Sequence, residues 1–564
     1  MKRILILIAL TISATLVHAQ DIAGDWQGTL SAGGAELRLV LHVTKNADGS
    51  LKAILDSIDQ PGANGIPVSS ISLKDSRLNL GVDAVHGTYE GKVAADTKTI
   101  SGTWTQGQPL PLEFKRAAAP INTEHKPAKP SDIDGAWMGS LDTGAIKLRV
   151  VFHIVNTEDG LTATMDSLDQ GAKGIPTSSV TRDGASLKIE AKSIGGSFEG
   201  KIAADLSSID GKWSQGGATM PLSLKRVKDQ AELELKRPQN PVKPYPYREE
   251  EVSFDNKAQN VTLASTLTIP QGKGPFPAVL LITGSGPQDR DESLLGHKPF
   301  LVLSDYLTRH GIAVLRADDR GTGKSTGVFG TATTADFATD AEAGVTYLKR
   351  RAEVDPHKIG LIGHSEGGVI APMLAARNKD VAFIVMMAGT GVPGDQILVA
   401  QGEAIQIASG KDPAKAATEA AKEKELLTLV ETEKDQTILE KELKEKMAGD
   451  VPEAQIGAQI KQITSPWFRY FLTYDPATAL RKVTCPVLAI NGSLDKQVLP
   501  NQNLPPIRKA LEEAGNKHFE VDELPGLNHL FQTAKTGALS EYAEIEETMS
   551  PVALEKMATW IQKQ

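Results

Sequence analysis

Apolar and polar residues follow different patterns in the two halves of the chain. In residues 37–43 leucine or valine occupies every second position, and similar short runs, separated by Gly, Asn and Asp, continue to about residue 226. A period of two predicts strands with one buried face. Short strands at regular spacing are typical of a small antiparallel barrel or sandwich, so we expect the front half to form all-β modules.

The back half instead alternates continuous apolar runs with segments of helical length. Residues 278–282 read Ala-Val-Leu-Leu-Ile, as a strand buried on both faces requires. Alternation of this kind predicts a mostly parallel sheet with helices on both faces. After a leading hairpin at 252–254 and 261–269, the expected strands are 278–282, 312–316, 359–362, 382–387, 487–490 and 519–521. The expected helices are 301–309, 336–351, 504–514 and 551–562.

The front half contains one unit twice, at residues 21–116 and 132–226. Trp26-Gln27-Gly28 corresponds to Trp137-Met138-Gly139. Further matching pairs are 37–43 with 148–154, 56–60 with 166–170, 65–67 with 174–176, and 102–104 with 211–213. Proline-containing segments at 117–131 and 228–247 favour extended backbone and are expected to be linkers. We therefore predict two β modules followed by a larger domain at 248–564.

Aromatic and polar residues that recur in the two modules suggest two kinds of site. The recurring tryptophans are Trp26, Trp104, Trp137 and Trp213. We interpret them as core anchors, with a carbohydrate platform as the alternative. His42 and His153 lie on expected strands, and the nearby aspartates border turns, without the close ligand spacing of a metal site. We expect no metal here and a binding or scaffolding role for the modules.

Length, charge and cysteine content limit the possible classes of protein. A chain of 564 residues is too long to fold around a single hydrophobic core, so about two to four domains are expected. The formal net charge of −9 gives no reason to expect nucleic acid as a partner. Cys485 is the only cysteine, which excludes an intramolecular disulfide.

Residues 1–19 have the pattern of a secretory signal peptide. Lys2 and Arg3 precede a short apolar run, and the segment ends in Val17-His18-Ala19. We expect cleavage between Ala19 and Gln20. An uncleaved membrane anchor is disfavoured because the apolar run is short, and no later segment is long enough to span a bilayer. The mature protein is therefore expected to be secreted or periplasmic.

The segment Gly363-His364-Ser365-Glu366-Gly367 is the centre of the back half. It follows an apolar run and precedes a helix of small residues, which is the setting of a G-x-S-x-G nucleophile elbow. The sharp turn lifts Ser365 clear of the sheet and requires glycine at the outer positions. The amide of Glu366 then lies at a helix N-terminus and can donate to an oxyanion. A glycine-rich turn without a catalytic role is the alternative.

Six segments together give residues 245–564 a specific resemblance to a known family. They are 282–291, 318–325, 363–367, 465–470, 491–495 and 527–529, and they include Gly284-Ser285-Gly286-Pro287 and Leu527-Asn528-His529. This part resembles the α/β hydrolases of the bacterial secreted esterase and serine-aminopeptidase-like group. The resemblance implies a mostly parallel eight-stranded sheet and serine hydrolase activity. It does not extend to the two β modules.

The elbow also sets the order of the other triad residues, an acid and then a histidine. His518 and His529 are the histidines downstream of Ser365. His529 follows the expected strand at 519–521, at the carboxyl edge where the sites of open α/β sheets lie, whereas His518 precedes it. We therefore assign His529 as the general base.

The orienting acid is assigned by the same argument. Asp495 follows the expected strand at 487–490, so its carboxylate can hold the imidazole of His529. Asp522 and Glu523 are alternatives, but they follow the strand that already presents the histidine. Asp495 is the better candidate.

A second oxyanion donor is expected in the loop after residues 278–282. The family usually has His-Gly there, whereas this chain has Thr283-Gly284-Ser285-Gly286. We assign the amide of Ser285, with Gly286 as the alternative, and expect Thr283 to replace the histidine. Residues 289–291 are expected to brace the loop through ion pairs.

Two further motifs are weaker. Residues 321–326 resemble a phosphate-binding loop, but the spacing requires glycine where Asp318 stands, which argues against nucleotide binding. Asp318 and Asp319 could suggest a metal, but we favour a turn held by Arg320. We therefore expect neither a cofactor nor a metal ion.

An insertion at 395–470 separates two expected strands, and its residues 419–447 are rich in Glu, Lys, Ala and Leu. This composition favours helices, either as a lid over the site or as a solvated hairpin. Trp467, Phe468 and Tyr470, together with Phe471, could line an acyl pocket or anchor the lid, and both interpretations stay open.

The sequence predicts a secreted serine hydrolase that cleaves carboxylic esters through an acyl-enzyme on Ser365. Peptidase action on short peptides at the same triad is a second possibility. A third is a binding protein whose β modules hold a wall polymer, with the hydrolase as an accessory. The expected partners are a small ester or a short peptide, with polymer contact through the modules.

Overall fold

A computed structural model describes residues 21–564 apart from short gaps. The gaps are residues 33–34, 47–49, 59–64, 83–84, 86, 107, 118–127, 144–146, 159, 171, 230–232, 234–235, 450 and 452. The signal peptide expected at 1–19, most of the linker at 117–131, part of the linker at 228–247, and the repeat residues Asp59 and Gln60 therefore lie outside the described residues. None of the helices formed by the described residues is long and apolar enough to cross a membrane.

The front half forms two antiparallel sheets of nine strands each. The first consists of β1 (Gly24–Ala32), β2 (Ala35–Lys45), β3 (Leu51–Ser57), β4 (Ile66–Pro67), β5 (Ser70–Lys74), β6 (Arg77–Val82), β7 (Gly87–Val93), β8 (Thr99–Gln106) and β9 (Gln108–Arg116). The second consists of β10 (Gly135–Asp142), β11 (Lys147–Thr157), β12 (Gly160–Ser167), β13 (Ala172–Pro176), β14 (Ser179–Asp183), β15 (Ser186–Ala191), β16 (Gly196–Ile202), β17 (Ser208–Gln215) and β18 (Ala218–Arg226).

Both sheets have the same strand order, which explains their curled shape. In the first sheet β1 pairs with β9, and the sheet edges are the consecutive strands β4 and β5. The second sheet repeats this order, with β10 beside β18 and edges at β13 and β14. An up-and-down order that joins the first strand to the last makes each sheet a half-barrel around its own core.

The recurring tryptophans lie in these cores. Trp26, Trp137 and Trp213 are fully buried and Trp104 is 3% exposed. Trp26 Nε1 donates to the carbonyl of Ile22, and the matching Trp137 Nε1 donates to the carbonyl of Ile133. Buried rings cannot stack on a sugar, so the carbohydrate-platform alternative is wrong for these four side chains.

The polar residues of the first module form a small hydrogen-bonded group. His42 Nδ1 lies 2.8 Å from Asp25 Oδ1, and its Nε2 lies 3.1 Å from Asp56 Oδ2. Across the part of the chain that the structure describes, no three or more His, Cys, Asp or Glu side chains are arranged to hold a metal ion.

The back half contains a mixed eight-stranded sheet in the order β19-β20-β22-β21-β23-β24-β25-β26. Its strands are β19 (Arg248–Asn256), β20 (Val261–Ile269), β21 (Phe276–Ile282), β22 (Ala313–Ala317), β23 (Val354–His364), β24 (Phe383–Met387), β25 (Val487–Gly492) and β26 (Phe519–Leu524). The β19–β20 hairpin is antiparallel and β20 runs antiparallel to β22, whereas the other neighbours are parallel. The expected α/β-hydrolase sheet, preceded in the chain by two antiparallel β modules, is confirmed.

Eleven helices accompany this sheet in the described residues. They are α1 (Pro299–Arg309), α2 (Thr334–Leu348), α3 (Gly367–Ala375), α4 (Gly394–Ala408), α5 (Pro413–Thr432), α6 (Gln436–Met447), α7 (Glu453–Ile463), α8 (Pro466–Thr473), α9 (Ala477–Leu480), α10 (Pro500–Glu513) and α11 (Pro551–Ile561). Short 3₁₀ turns occur at Leu168–Gln170, Lys192–Ile194 and Leu539–Glu541.

Both faces of the central sheet are covered, which accounts for the continuous apolar strands. Leu280 of β21 joins one apolar cluster with residues of α2, α3 and α10, whereas its neighbour Leu281 joins the other with residues of α1 and α11. Successive side chains of a strand point to opposite faces, so each position of β21 must be apolar.

The insertion between β24 and β25 contains α4 to α8 and has its own apolar core. The core is built from Leu427, Val430, Leu439, Leu443, Ile456, Ile460, Phe468 and Leu472. The polar stretch at 419–447 is divided into α5 and α6, since Asp435 caps α6 by accepting from the amides of Thr437 and Ile438. We refer to α4–α8 as the lid.

Candidate active site

Ser365 lies in the turn between β23 and α3, and the turn depends on close backbone contacts. Its φ is +52°, a conformation that side-chain-bearing residues rarely adopt. A Cβ on Gly363 would lie 1.9 Å from the carbonyl oxygen of Gly367, and one on Gly367 would lie 2.1 Å from that of Ile282. No side chain fits at either position, so glycine is required at both ends of the elbow.

This turn lies at the point in the sheet where the strand order reverses. β22 and β23 flank β21 on opposite sides, and Ile282 at the end of β21 pairs with Gly363. The loop after β21 therefore passes beside Ser365, and a Cβ on Gly284 would lie 3.3 Å from the Cβ of Ser365. Open α/β sheets bind ligands at such a switch point, outside the carboxyl ends of the strands.

His529 and Asp495 are hydrogen-bonded to each other. His529 Nδ1 lies 2.8 Å from Asp495 Oδ2, and both side chains are buried. Asp495 Oδ1 accepts from the amides of Gln497 at 2.8 Å and Val498 at 2.9 Å. An ionised carboxylate only accepts hydrogen bonds, so Nδ1 of His529 donates to Asp495 and the lone pair on Nε2 can take a proton.

The loop that carries His529 is held by a neighbouring asparagine and by close packing. Asn528 Oδ1 accepts from the amides of Leu530 and Gln532, and Asn528 Nδ2 donates to Gln532 Oε1. A Cβ on Gly492 would lie 2.2 Å from the carbonyl oxygen of Leu527, so this loop lies directly against the end of β25. The same strand end leads to Asp495.

Ser365 and His529 line one cavity of about 250 Å³. Its lining is formed by Gly284, Ser285, Gln288, Glu292, Leu294, His364, Ser365, Glu366, Thr390, Ile397, Leu398, Gln401, Trp467, Phe471, Gln497, Val498, His529 and Leu530. Among these described residues there is no lysine or arginine. The cavity has space for a small substrate, and its lining includes the carboxylates of Glu292 and Glu366.

The loop that follows β21, which we call the oxyanion loop, borders this cavity, as does the elbow. Both Ser285 and Glu366 are lining residues, but the amide of Gly284 donates to Glu292 Oε1 at 2.8 Å. Thr283 was expected to substitute for the usual histidine, yet its hydroxyl donates to Asp319 Oδ1 at 2.8 Å. Burial raises the pKa of Asp319 to about 8, although its hydrogen bonds from Gln288 and Thr283 oppose the shift.

Arg290 and Asp291 brace the loop through ion pairs as expected, whereas Asp289 accepts from the amides of Asp291 and Ser293. One expected partner is wrong. Arg290 donates to both oxygens of Asp318, through Nε at 2.9 Å and Nη2 at 2.8 Å. Asp291 pairs with Arg316, which is buried. Arg320, which we expected to hold the turn at Asp318, pairs instead with Asp340 of α2. The turn is therefore held by Arg290, which follows β21, the strand next to β22.

The side chain of Glu366 joins the elbow to the lid. Its Oε1 accepts from Trp467 Nε1 of α8 at 2.8 Å and from Thr334 Oγ1 of α2 at 2.7 Å. Burial raises the pKa of Glu366, while hydrogen bonds from Thr334, Trp467 and Ser285 oppose this. The residue after the nucleophile therefore lines the cavity and anchors the lid through its carboxylate.

The three aromatic residues predicted for the pocket occupy different places. Trp467 lines the cavity and stacks on Phe471, with ring centroids 5.4 Å apart. Phe468 belongs to the apolar core of the lid. Tyr470 stacks on Tyr474 at 5.4 Å. Trp467 thus combines both interpretations, since it lines the cavity and anchors the lid.

Sequence reasoning did not identify His364 or Glu292 as parts of the site. His364 Nδ1 lies 2.9 Å from Glu292 Oε1, and its Nε2 lies 3.0 Å from the carbonyl oxygen of His529. His364 occupies a variable position of the elbow motif, and Glu292 lies in an irregular loop. The one available signal was the presence of a histidine beside the nucleophile.

We expect Gly367→Ala to abolish most of the ester hydrolysis that the sequence predicts. The added Cβ must displace the elbow from Ile282, and a shift of about 1 Å at the reacting serine costs about 100-fold in rate. Gly330→Ala is the control, because no atom lies within 4 Å of its Cβ position. Hydrolysis of p-nitrophenyl acetate by both purified variants measures the effect. Equal rates in the two variants would contradict the close packing described for the elbow.

Comparison with known proteins agrees with this geometry. A family model described as X-Pro dipeptidyl-peptidase (S15 family) matches residues 259–518. Esterase EstD of Thermotoga maritima is 29% identical over 279 residues, which are 49% of this chain and 60% of EstD. An uncharacterized 31.7 kDa protein of Escherichia coli is 25% identical over 275 residues, 46% of this chain and 90% of that protein.

Solved structures that are similar to this chain include the α/β hydrolase GrgF from Penicillium sp. sh18. The identity is 16% and the TM-score is 0.37, and the similarity covers 56% of this chain and 98% of that chain. The chain spans 60% of the length of its relative EstD. The sheet order and the matched family and relatives confirm the resemblance found in the sequence. The C-terminal half of the chain has the α/β-hydrolase fold and is similar in sequence to the X-Pro dipeptidyl-peptidase (S15) family and to an esterase.

Proposed function

We propose that the protein is a serine hydrolase that cleaves carboxylic esters through an acyl-enzyme on Ser365. The observation that carries this proposal is the hydrogen bond between His529 and Asp495 beside a strained serine in one cavity. A serine hydroxyl is a weak nucleophile by itself and needs an adjacent base. The pair of His529 and Asp495 supplies that base.

In the acylation step His529 Nε2 takes the proton of Ser365 as Oγ attacks the ester carbonyl. Asp495 keeps the proton on Nδ1 and stabilises the imidazolium that forms. The carbonyl oxygen becomes an oxyanion, which the amides of Ser285 and Glu366 are proposed to bind. Imidazolium then returns its proton to the leaving alcohol, and the carbon–oxygen bond breaks.

Deacylation repeats these steps with water as the nucleophile. His529 takes a proton from water, and hydroxide attacks the acyl carbonyl of the Ser365 ester. The second tetrahedral intermediate collapses as Ser365 Oγ leaves and takes the proton from His529. The products are a carboxylic acid and an alcohol, and the enzyme returns to its starting state.

Cavity size and lining favour a small ester. A volume of about 250 Å³ suits a short acyl or leaving group, and Trp467, Phe471 and Ile397 supply apolar surface. The similarity to an esterase, EstD, supports the same reaction class. A carboxylate-bearing acyl group finds no lysine or arginine among the described lining residues.

Peptidase action is the second candidate, because the matched family model is described as an X-Pro dipeptidyl-peptidase. The same triad can cleave an amide if His529 protonates the leaving nitrogen. An amine is a poorer leaving group than an alcohol, so its nitrogen must receive a proton from His529 before the carbon–nitrogen bond breaks. The relative rates on esters and amides decide between the two candidates.

Export and polymer binding complete the proposal. The pattern of residues 1–19 supports removal of a signal peptide and action outside the cytoplasm. The two β modules are proposed to hold the enzyme on a wall polymer. Their tryptophans are internal, so such binding uses other surfaces of the half-barrels.

Replacement of Ser365 by alanine should lower ester turnover at least about 1,000-fold, because the nucleophile is lost while binding remains. The measurement is initial rates on p-nitrophenyl esters of increasing acyl length and on aminoacyl-p-nitroanilides. Ser293→Ala, a change at an exposed serine of the oxyanion loop, is the matched control and should keep wild-type rates. Anilide turnover without ester preference would favour the peptidase, and activity that survives Ser365→Ala would refute the proposed nucleophile.

Polymer binding by the modules predicts retention of the full chain on insoluble cell-wall polysaccharide. The Ser365→Ala protein is used, so that hydrolysis cannot release it. Sedimentation with the polymer at increasing concentration gives the bound fraction. A bound fraction no greater than that of a bystander protein of similar charge would rule out this role.

A further inference from the structure

We propose that Glu292 and His364 form a buried carboxylate–imidazolium pair that positions the oxyanion loop and the His529 loop on either side of Ser365. Both are positioning residues rather than groups that react with substrate. The proposal rests on the hydrolase function proposed above and adds to it two residues outside the Ser-Asp-His triad. Three hydrogen bonds carry the argument.

One oxygen of Glu292 receives two of these bonds. Its Oε1 accepts from the amide of Gly284 at 2.8 Å and lies 2.9 Å from His364 Nδ1. Gly284 directly precedes the proposed oxyanion donor Ser285, and His364 directly precedes the nucleophile Ser365. Glu292 therefore fixes the distance between the oxyanion donor and the nucleophile.

The third bond extends the link to the general base. His364 Nε2 lies 3.0 Å from the carbonyl oxygen of His529. The two imidazole rings are 4.8 Å apart between centroids. Through His364, the backbone that carries the base is tied to the backbone that carries the nucleophile.

Hydrogen counting gives the charge of His364. A backbone carbonyl accepts only, so Nε2 must carry a hydrogen. The Glu292 oxygen already accepts from an amide, and an ionised carboxylate accepts only, so Nδ1 must carry a hydrogen as well. A neutral histidine has one ring hydrogen and would face one of its two acceptors with a lone pair. With Glu292 as a carboxylate, both bonds exist together only when His364 is an imidazolium.

The surroundings favour this charged state in spite of burial. Burial lowers the pKa of His364, but the charge and hydrogen bond of Glu292, the carbonyl of His529 and the charge of Asp495 together raise it above its ordinary value. Glu292 and the backbone and ring of His529 contact the His364 ring, and the charge of Asp495 acts on it from farther away. His364 and Glu292 are 5% and 6% exposed, so water screens their attraction little.

The conformation of Glu292 is consistent with a residue held in place for this contact. Its φ is +53°, in the left-handed region that is costly for a glutamate. Its Oε2 is buried and has no hydrogen-bond partner among the described residues, so Oε1 makes the bonds of this carboxylate. A carboxylate buried in this way needs a cation, and His364 provides it.

Glu292→Gln tests the pair, because the substitution keeps the shape and removes the charge. His364 then loses its counter-charge, becomes neutral, and turns one of its two bonds into a lone-pair contact. We expect kcat for p-nitrophenyl butyrate to fall about 10- to 100-fold, with KM changed less than about threefold, since loops around the reacting atoms shift by a fraction of an ångström. His364→Asn should give a similar loss.

The double variant and a control separate coupling from general damage. If the two residues act as one unit, Glu292→Gln combined with His364→Asn should lose no more than about threefold beyond the worse single variant. Asp340→Asn removes the charge from another buried ion pair, that of Arg320 and Asp340, and should lower the melting temperature without lowering kcat. Multiplicative losses in the double variant would overturn the pair.

The pH profile supplies a readout that a merely structural contact would not change. With a pKa raised above its ordinary value, His364 is charged at low pH and loses its proton as pH rises through that pKa. Wild-type kcat should therefore fall on the alkaline side toward the level of Glu292→Gln, whose own alkaline fall should be absent. An identical alkaline fall in both proteins would contradict the proposal.

Nitrogen-15 NMR of the full chain labelled at histidine tests the charge of His364 without any substrate. The spectrum at neutral pH should show both ring nitrogens of His364 protonated, with the signal assigned by its loss in His364→Asn. A neutral tautomer would overturn the pair even in an active enzyme. If instead the imidazolium is found but Ser365-dependent hydrolysis is not, the pair stands and the proposed function fails.

Discussion

The close backbone packing at the turn between β23 and α3 is the constraint on which the site depends. Gly367 packs against the carbonyl of Ile282 at the end of β21, and Gly363 packs against Gly367, so the nucleophile turn and the oxyanion loop form one unit. The strained φ of Ser365 is found between two glycines whose close contacts leave no space for a side chain. A relaxed turn would withdraw the serine from both the base and the oxyanion donors.

Buried carboxylates join the loops around this turn. Asp495 contacts His529 and accepts hydrogen bonds from two backbone amides. Glu366 connects the elbow to the lid through Trp467, and Glu292 accepts from the amide of Gly284. An ionised carboxylate is costly to bury without donors, so each of these groups fixes the position of the elements that supply them. The site is thus ordered by its acidic residues as much as by its apolar core.

The sequence allowed prediction of those site residues that follow the ends of strands. Continuous apolar runs define the strands, and a parallel sheet brings their carboxyl ends together, so His529 and Asp495 could be selected from competing residues. The ion-pair and hydrogen-bond partners of Arg320, Thr283 and Glu292 could not be predicted from the sequence, because they depend on how irregular loops fold against one another. The aromatic segment at 467–471 was ambiguous for the same reason, since helical phase within the lid decides which ring faces the cavity.

The most direct measurement of the central claim is the site and rate of covalent labelling by a fluorophosphonate that mimics the acylation step. Peptide mass spectrometry should find one adduct, on Ser365, and labelling should slow at least about 100-fold in His529→Ala, because the serine loses its base. An adduct on another residue, or unchanged labelling of Ser365 in His529→Ala, would contradict the account of a nucleophile activated by the buried histidine–aspartate pair.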